Sequence, residues 1–241
     1  MSIILAIETS AELASCALLV GDRLIERAAA GVRTHSQSIL PMVQELLTEA
    51  GIKLAEVDAL AFGAGPGSFT GVRTACGVAQ GLAYGAGLPV LPLVTLEAMA
   101  EACRARTGAT EVLAVLDARM GEVYWAQYRF DGGWREVVAP TLAAPQDVAP
   151  QPVAGLHSCG NGFAEYADAF AGRPFAAGAL PDIVPHAREM ARLAPAALAA
   201  GQGVAPAQAQ PLYLRNKVAY TSAERLAINA DKAAKAAQGT P

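Results

Sequence analysis

Ile3-Ile4-Leu5-Ala6-Ile7-Glu8-Thr9-Ser10 opens the chain with five apolar residues, a carboxylate and a polar turn. A run this short and this apolar reads as a buried strand. Ser15–Val20 reads as a second strand, Gly21-Asp22 as a two-residue hairpin turn, and Arg23–Ala29 as a third strand. The same plan returns later. Leu113-Ala114-Val115-Leu116-Asp117 lines up with Ile4-Leu5-Ala6-Ile7-Glu8, and a carboxylate closes both strands. Val112–Leu116, Glu122–Phe130 and Trp134–Val138 follow as strands, broken by Asp117-Ala118-Arg119 and by the turn Asp131-Gly132-Gly133. The repetition predicts two halves of related design, with a boundary near Arg104–Thr110.

Helices fill the space between these strands. Ile39, Val43, Leu46, Leu47 and Ala50 fall on one helical face, with Thr34-x-x-Gln37 as a capping box and Gly51 as the stop. Pro41 fits this helix only in its first turn. Val57–Phe62 reads as a strand leading into the loop Gly63-Ala64-Gly65-Pro66-Gly67-Ser68-Phe69-Thr70-Gly71. A helix from Val72 to Tyr84 then carries Gly77, Gly81 and Gly85 along one face. Each glycine costs a helix about 1 kcal/mol against Ala, so the row implies that another backbone approaches closely. That neighbour is either a second helix or the protein's own sheet. Pro89 and Pro92 flank a short strand, and Thr95–Arg104 reads as helix. Pro140–Pro152 reads as irregular, Val153–Phe170 as strand, turn and helix, and Ala187–Leu198 as a helix interrupted by Pro195. Ala199–Pro211 is a low-complexity loop, after which Pro211-Leu212-Tyr213-Leu214-Arg215 looks ordered. Thr221-x-x-Glu224 offers a cap to a last Ala-rich helix that lacks large apolar anchors.

Composition narrows the function. The 241 residues carry 18 Lys and Arg against 22 Asp and Glu, a net charge of −4, which argues against gripping nucleic acid alone. Hydrophobic residues make up 53% and charged ones 17%, which excludes global disorder. No apolar run reaches the ~18 residues of a membrane span, and Glu8 arrives too early for a signal peptide. Cys16, Cys76, Cys103 and Cys159 form no CxxC pair and read as buried small hydrophobes of a cytoplasmic protein.

Specific chemistry is scarce. The glycine loop offers backbone N–H groups to a phosphate, yet Val72 stands where a Walker A motif needs Lys. Thr70 stands where the dinucleotide fingerprint needs its third glycine. Gly65, Gly67, Ser68 and Thr70 therefore read as a weak nucleotide loop or as a tight turn capped by Ser68 or Thr70, and the turn is favoured. His35, His157 and His186 include no i, i+4 pair, so no metal helix exists, and no G-x-S-x-G elbow occurs. Glu8, with Thr9 beside it, and Asp117 are the carboxylates of interest. Such a pair facing a cleft can hold a magnesium nucleotide, and each can equally cap its own turn, which is the favoured reading. Gly160-Asn161-Gly162 is a weak adenosine-loop candidate. Alternation along Tyr124, Trp125, Tyr128 and Phe130 puts Trp125 on the opposite face, as in a sheet core.

Six motifs occur in a telling order. They are Ile4–Ser10; His35-Ser36-Gln37 with Leu40-Pro41-Met42-Val43; Gly65-Pro66-Gly67-Ser68-Phe69-Thr70-Gly71-Val72-Arg73; Gln80-Gly81-Leu82-Ala83; Asp117-Ala118-Arg119-Met120-Gly121-Glu122-Val123-Tyr124; and Pro211–Arg215. Together they resemble the bacterial TsaB family, the dimerisation subunit of the tRNA threonylcarbamoyladenosine synthesis complex. Glu8 stands where that family's pattern has Asp. The resemblance implies an α/β actin/sugar-kinase-like (ASKHA) fold of two related subdomains, each a mixed β-sheet flanked by helices. These would span 1–104, holding the partner-binding helices, and 105–215, followed by an Ala-rich tail over 216–241, partly helical or disordered. It implies a non-catalytic subunit with no cofactor and no metal. Such a subunit pairs with the catalytic TsaD, helps recruit the ATPase TsaE, and meets tRNA only through the complex, which transfers threonylcarbamoyl to N6 of the adenosine beside the anticodon. The family pairs through helices that map to Ser38–Ala50 and Val72–Gly85. Ile39, Val43, Leu46, Leu47, Arg73, Gly77, Gly81 and Gly85 are the expected interface, with a homodimer when the protein is alone. The alternative is an ATP-dependent small-molecule kinase of the same superfamily, motivated by the duplicated strand–loop–strand pattern with Glu8 and Asp117.

Overall fold

The computed structural model describes residues 2–30 and 35–215. The Thr34 capping box and everything expected after Arg215, the Thr221–Glu224 cap included, lie outside the described residues. The opening run forms β1 (Ile3–Glu8), paired antiparallel with β2 (Leu13–Val20), which pairs antiparallel with β3 (Arg23–Ala30). On the other side of β1 lie β4 (Ala59–Gly65) and β5 (Val90–Val94), both parallel, so the first sheet runs β3-β2-β1-β4-β5. The second sheet repeats this plan. It consists of β6 (Glu111–Arg119), β7 (Glu122–Phe130), β8 (Trp134–Ala143) and β9 (Leu156–Cys159), in the order β8-β7-β6-β9. Only β9 is parallel to its neighbour. In each half an antiparallel three-strand meander is followed by a parallel strand laid beside its first member. The duplication legible at Ile4–Glu8 and Leu113–Asp117 is therefore a duplication of topology.

Helices α1 (His35–Ala50) and α2 (Phe69–Ala86) lie side by side on one face of the first sheet. Ile39, Val43, Leu46 and Leu47 of α1 and Ala75, Cys76, Ala79 and Ala83 of α2 form a core there with Leu5, Ile7, Leu60 and Phe62. Pro41 sits in the second turn of α1, not its first. It is tolerated because Pro41 and Gln37, whose carbonyl loses its helical donor, are both on the exposed side. The glycine loop is shorter than its composition suggests. β4 runs on to Gly65, and Ser68 starts α2 by accepting a hydrogen bond from Gly71 N at 3.3 Å.

The other face of the first sheet is covered from far along the chain. Ala187, Met190, Ala191 and Ala194 of α6 (Ala187–Ala199) pack on Ile4, Ala6, Ala59 and Leu91. Between the sheets lies α3 (Thr95–Thr107), which turns Ala98 toward α6 and Leu96, Met99 and Cys103 toward Ala114, Leu116 and Tyr128 of the second sheet. A boundary at residue 104 thus falls inside a helix, and α6, within 105–215, serves the first sheet. The short helices α4 (Gly162–Glu165) and α5 (Ala167–Phe170) cover the remaining face, where Trp125 packs with Phe163 and Phe170. Tyr124 and Tyr128 lie on the opposite face, as the alternation requires. β8 extends to Ala143, through the stretch expected to be irregular. Pro140 is accommodated because β8 is an edge strand.

Candidate functional site

The turn after β1 meets the glycine loop at backbone contact. A Cβ on Gly63 would stand 1.7 Å from Glu8 Oε2, one on Gly67 2.5 Å from Ser10 Cβ, and one on Gly71 1.9 Å from the Thr9 carbonyl oxygen. Thr9 Oγ1 donates to the Gly71 carbonyl at 2.7 Å, and Ser68 N donates to the Ser10 carbonyl at 2.7 Å. The glycines make room for the chain's own turn, and polar groups of the loop are spent on it. Gly160 and Gly162 play the same part in the second half, lying against Val115 of β6. Asn161 Oδ1 there accepts from Asp117 N at 2.9 Å. The adenosine-loop candidate is therefore engaged with its own strand.

The two carboxylates differ in surroundings. Glu8 is fully buried; Oε1 accepts from Ser10 N, and among the described residues Oε2 has no hydrogen-bond partner. Burial raises its pKa to about 7, against hydrogen bonds from Ser10 and Thr9 that pull it down. Asp117 is saturated instead. Oδ1 accepts from Arg119 N at 2.7 Å and from the Tyr166 hydroxyl at 2.8 Å, while Oδ2 lies 3.1 Å from Arg119 Nη1. Burial and the Asp117 carboxylate raise the Tyr166 phenol to about 12, so it stays a donor. A kinase site needs both carboxylates turned to a nucleotide; here one is sealed in the core and the other holds its own hairpin.

A cleft of about 490 Å³ separates the halves, walled by Ser10, Ser68, Phe69, Asp117, Arg119 and Tyr213. The segment Leu212–Arg215 crosses it as a strap. Leu212 N donates to the Ala64 carbonyl at 2.7 Å, tying the strap to the first half. Arg215 Nη2 reaches Glu122 at 2.6 Å and the Arg119 carbonyl at 3.2 Å, tying it to the second. Arg73 stacks on Phe69 with 3.6 Å to the ring centroid and donates to the Tyr213 hydroxyl at 2.8 Å. Arg73, an expected partner residue, is thus engaged by the protein's own strap. The Arg119–Glu12 ion pair, 2.8 Å long, spans the cleft mouth.

The expected interface residues separate into two groups. Ile39, Val43, Leu46 and Leu47 are buried against the first sheet, so they are core and not contact surface. The amphipathic face of α1 is consumed by the fold it belongs to. Gly77, Gly81 and Gly85 are the opposite case: all three are exposed, and a Cβ at any of them would meet nothing within 4 Å among the described residues. The protein's own sheet does not pack on this ridge. Tyr84, 82% exposed, flanks it on α2, and Leu40, 52% exposed, projects from α1. Neither was among the expected residues. Leu40 lies out of phase with Ile39 and Val43, and that phase was the signal available for it.

Comparison with known proteins agrees with this architecture. Residues 26–238 match the family model described as TsaD: tRNA N6-adenosine threonylcarbamoyltransferase. The tRNA threonylcarbamoyladenosine biosynthesis protein TsaB of Escherichia coli (strain K12) is 41% identical over 222 residues, covering 90% of this chain and 96% of the relative. The protein of the same name from Haemophilus influenzae is 39% identical over 227 residues, covering 90% and 95%. The solved structure of YeaZ from Pseudomonas aeruginosa superposes with a TM-score of 0.83 at 43% identity, covering 89% of this chain and all of that one. With two mixed α/β sheets of duplicated topology and this likeness over nine-tenths of its length, the chain belongs to the TsaB family of tRNA threonylcarbamoyladenosine biosynthesis proteins and has its ASKHA-type fold.

Proposed function

We propose that the chain is a non-catalytic subunit of the threonylcarbamoyl transfer machinery. It pairs with TsaD through the outer surface of α1 and α2, and the pair recruits the TsaE ATPase. Without TsaD the same surface pairs two copies, and tRNA is met only through the complex, in the cytoplasm. The observation that carries this reading is the open ridge Gly77, Gly81 and Gly85. Each glycine costs its helix about 1 kcal/mol against Ala, and no neighbour among the described residues requires its absence of a side chain. A helix of another subunit laid along the ridge turns that loss into close backbone approach, with Tyr84 and Leu40 as apolar flanks. A self-complementary patch of this kind also supports a two-fold homodimer.

The test is threonylcarbamoyl transfer to tRNA in a reconstituted system with the protein present, omitted, or replaced by Gly81→Leu. Transfer is expected to require the protein and to be lost with Gly81→Leu. Equal transfer without the protein would overturn the reading.

A further inference from the structure

The glycine ridge of α2 is bounded by a bulky group at each end. Arg73, Gly77, Gly81 and Tyr84 stand at i, i+4, i+8 and i+11, which brings them to one face of the helix, and all four are exposed. Arg73 and Tyr84 lie about 16 Å apart along the axis, with Gly77 and Gly81 as the floor between them. A helix about 10–12 Å across fits that gap.

The Arg73 end is built from two distant parts of the chain. Arg73 is the one charged residue of α2, and a cation so near a helix start gains nothing from the helix dipole. Among the described residues it has no ion pair; Glu12, the acid at the cleft mouth, is taken by Arg119. Its guanidinium is still held from two sides, by the Phe69 ring and by the hydroxyl of Tyr213 on the strap. Only Nε is used in that bond; Nη1 and Nη2 have no hydrogen-bond partner among the described residues. Tyr213 is itself 47% exposed and Leu212 beside it 37%. With Leu40 and Tyr84 they are the large apolar side chains that the described residues leave exposed, so the apolar surface of the helix layer continues onto the strap.

We propose that Arg73 and the strap residue Tyr213 form one end of the partner's seat and clamp a carboxylate carried by the partner's helix. The inference rests on the ridge as the partner surface. It adds the strap to that surface and gives the partner a required chemistry, an Asp or Glu beside the segment that packs on Gly77 and Gly81. The fork of Nη1 and Nη2 matches two carboxylate oxygens, and the N-terminus of α2 adds potential of the same sign. Tyr213 is a positioning residue: its hydroxyl holds the guanidinium in place, so less side-chain freedom is lost when the carboxylate arrives. A stitch that served only to fasten the strap has no use for the two Nη groups.

The experiment measures the affinity and association rate of the full chain with TsaD at low and at high salt, for wild type, Arg73→Gln, Arg73→Lys, Tyr213→Phe and Gly81→Leu. Arg73→Gln is expected to weaken association about tenfold or more and to flatten its salt dependence. Arg73→Lys keeps the charge and loses the fork, so it should recover the salt dependence and only part of the affinity. Tyr213→Phe keeps the ring and the Arg73 charge; it should weaken association several-fold with the salt dependence intact. Thermal unfolding of each variant alone separates a lost contact from a lost fold. A mere stitch would lower the unfolding temperature and leave association with TsaD unmoved, so wild-type affinity in Arg73→Gln or in Tyr213→Phe would overturn the proposal. If Gly81→Leu loses association while Arg73→Gln keeps it, the clamp falls and the ridge stands. Wild-type association of Gly81→Leu, or none by the wild type, would overturn both.

Discussion

Glycine has opposite meanings at two places in this molecule, and substitution separates them. At Gly71 an added Cβ would lie 1.9 Å from a backbone oxygen that cannot swing away. Gly71→Ala is expected to lower unfolding free energy by about 3 kcal/mol or more in urea titrations. At Gly77 the space is open, and Gly77→Ala should raise it by about 0.5–1 kcal/mol through helix propensity alone. Glu8 supplies a second measurement. Its folded pKa of about 7 lies above the ordinary 4.5, so the folded state binds the extra proton between these values. Stability attributable to Glu8 therefore falls as pH rises from about 4.5 through 7, by up to about 3 kcal/mol. The stability difference between wild type and Glu8→Gln should follow that fall between pH 5 and pH 8. A difference that stays constant across the range would show that Glu8 is not the group titrating. The role of Glu8 was half legible in sequence: a carboxylate ending a buried strand marks a special turn. Its burial under Gly63 depends on a contact between distant segments that no local pattern reveals.

The elements were legible where one periodicity was uninterrupted. β7 and the three strands of each meander follow from alternation and turn residues. The start of α2 inside the glycine loop followed in part: Ser68 is one of the two helix caps the sequence offers, but glycine composition argues for a loop up to Gly71 and so places the helix three residues late, at Val72. The apolar stripe of α1 was readable as a buried face, but not as one buried by its own sheet; periodicity reports burial and not the identity of the neighbour. The strap Leu212–Arg215 was readable as ordered and not as the crosspiece of the cleft. Arg215 is its anchor on the second half, with its side chain only 13% exposed beside Glu122. Arg215→Ala is expected to cost about 1–3 kcal/mol and to speed hydrogen exchange at the Leu212 amide, which bonds Ala64 across the strap. An unchanged Leu212 exchange rate would mean that the strap is held by the first half alone.

At the scale of the whole molecule, the match between Ile4–Glu8 and Leu113–Asp117 makes two halves of related design readable in the sequence, and the actin-like architecture is what the family resemblance implies. The crossing of α3 and α6 between the halves is not readable, since helix patterns carry no record of which sheet they will cover. The same duplication leaves a cleft between the halves, which the strap crosses, and it leaves one helix layer with an outward ridge on which none of the described residues packs. The proposed partner surface is that ridge. The direct measurement is the mass of the complex formed when wild type or Gly81→Leu is mixed with TsaD, by light scattering after gel filtration, with thermal unfolding of each protein alone as control. Wild type is expected to co-elute with TsaD. Gly81→Leu should elute separately while unfolding at the same or a higher temperature, because a Cβ at Gly81 meets nothing within 4 Å among the described residues and leucine favours the helix. Co-elution of a stable Gly81→Leu with TsaD at wild-type strength would contradict the assignment.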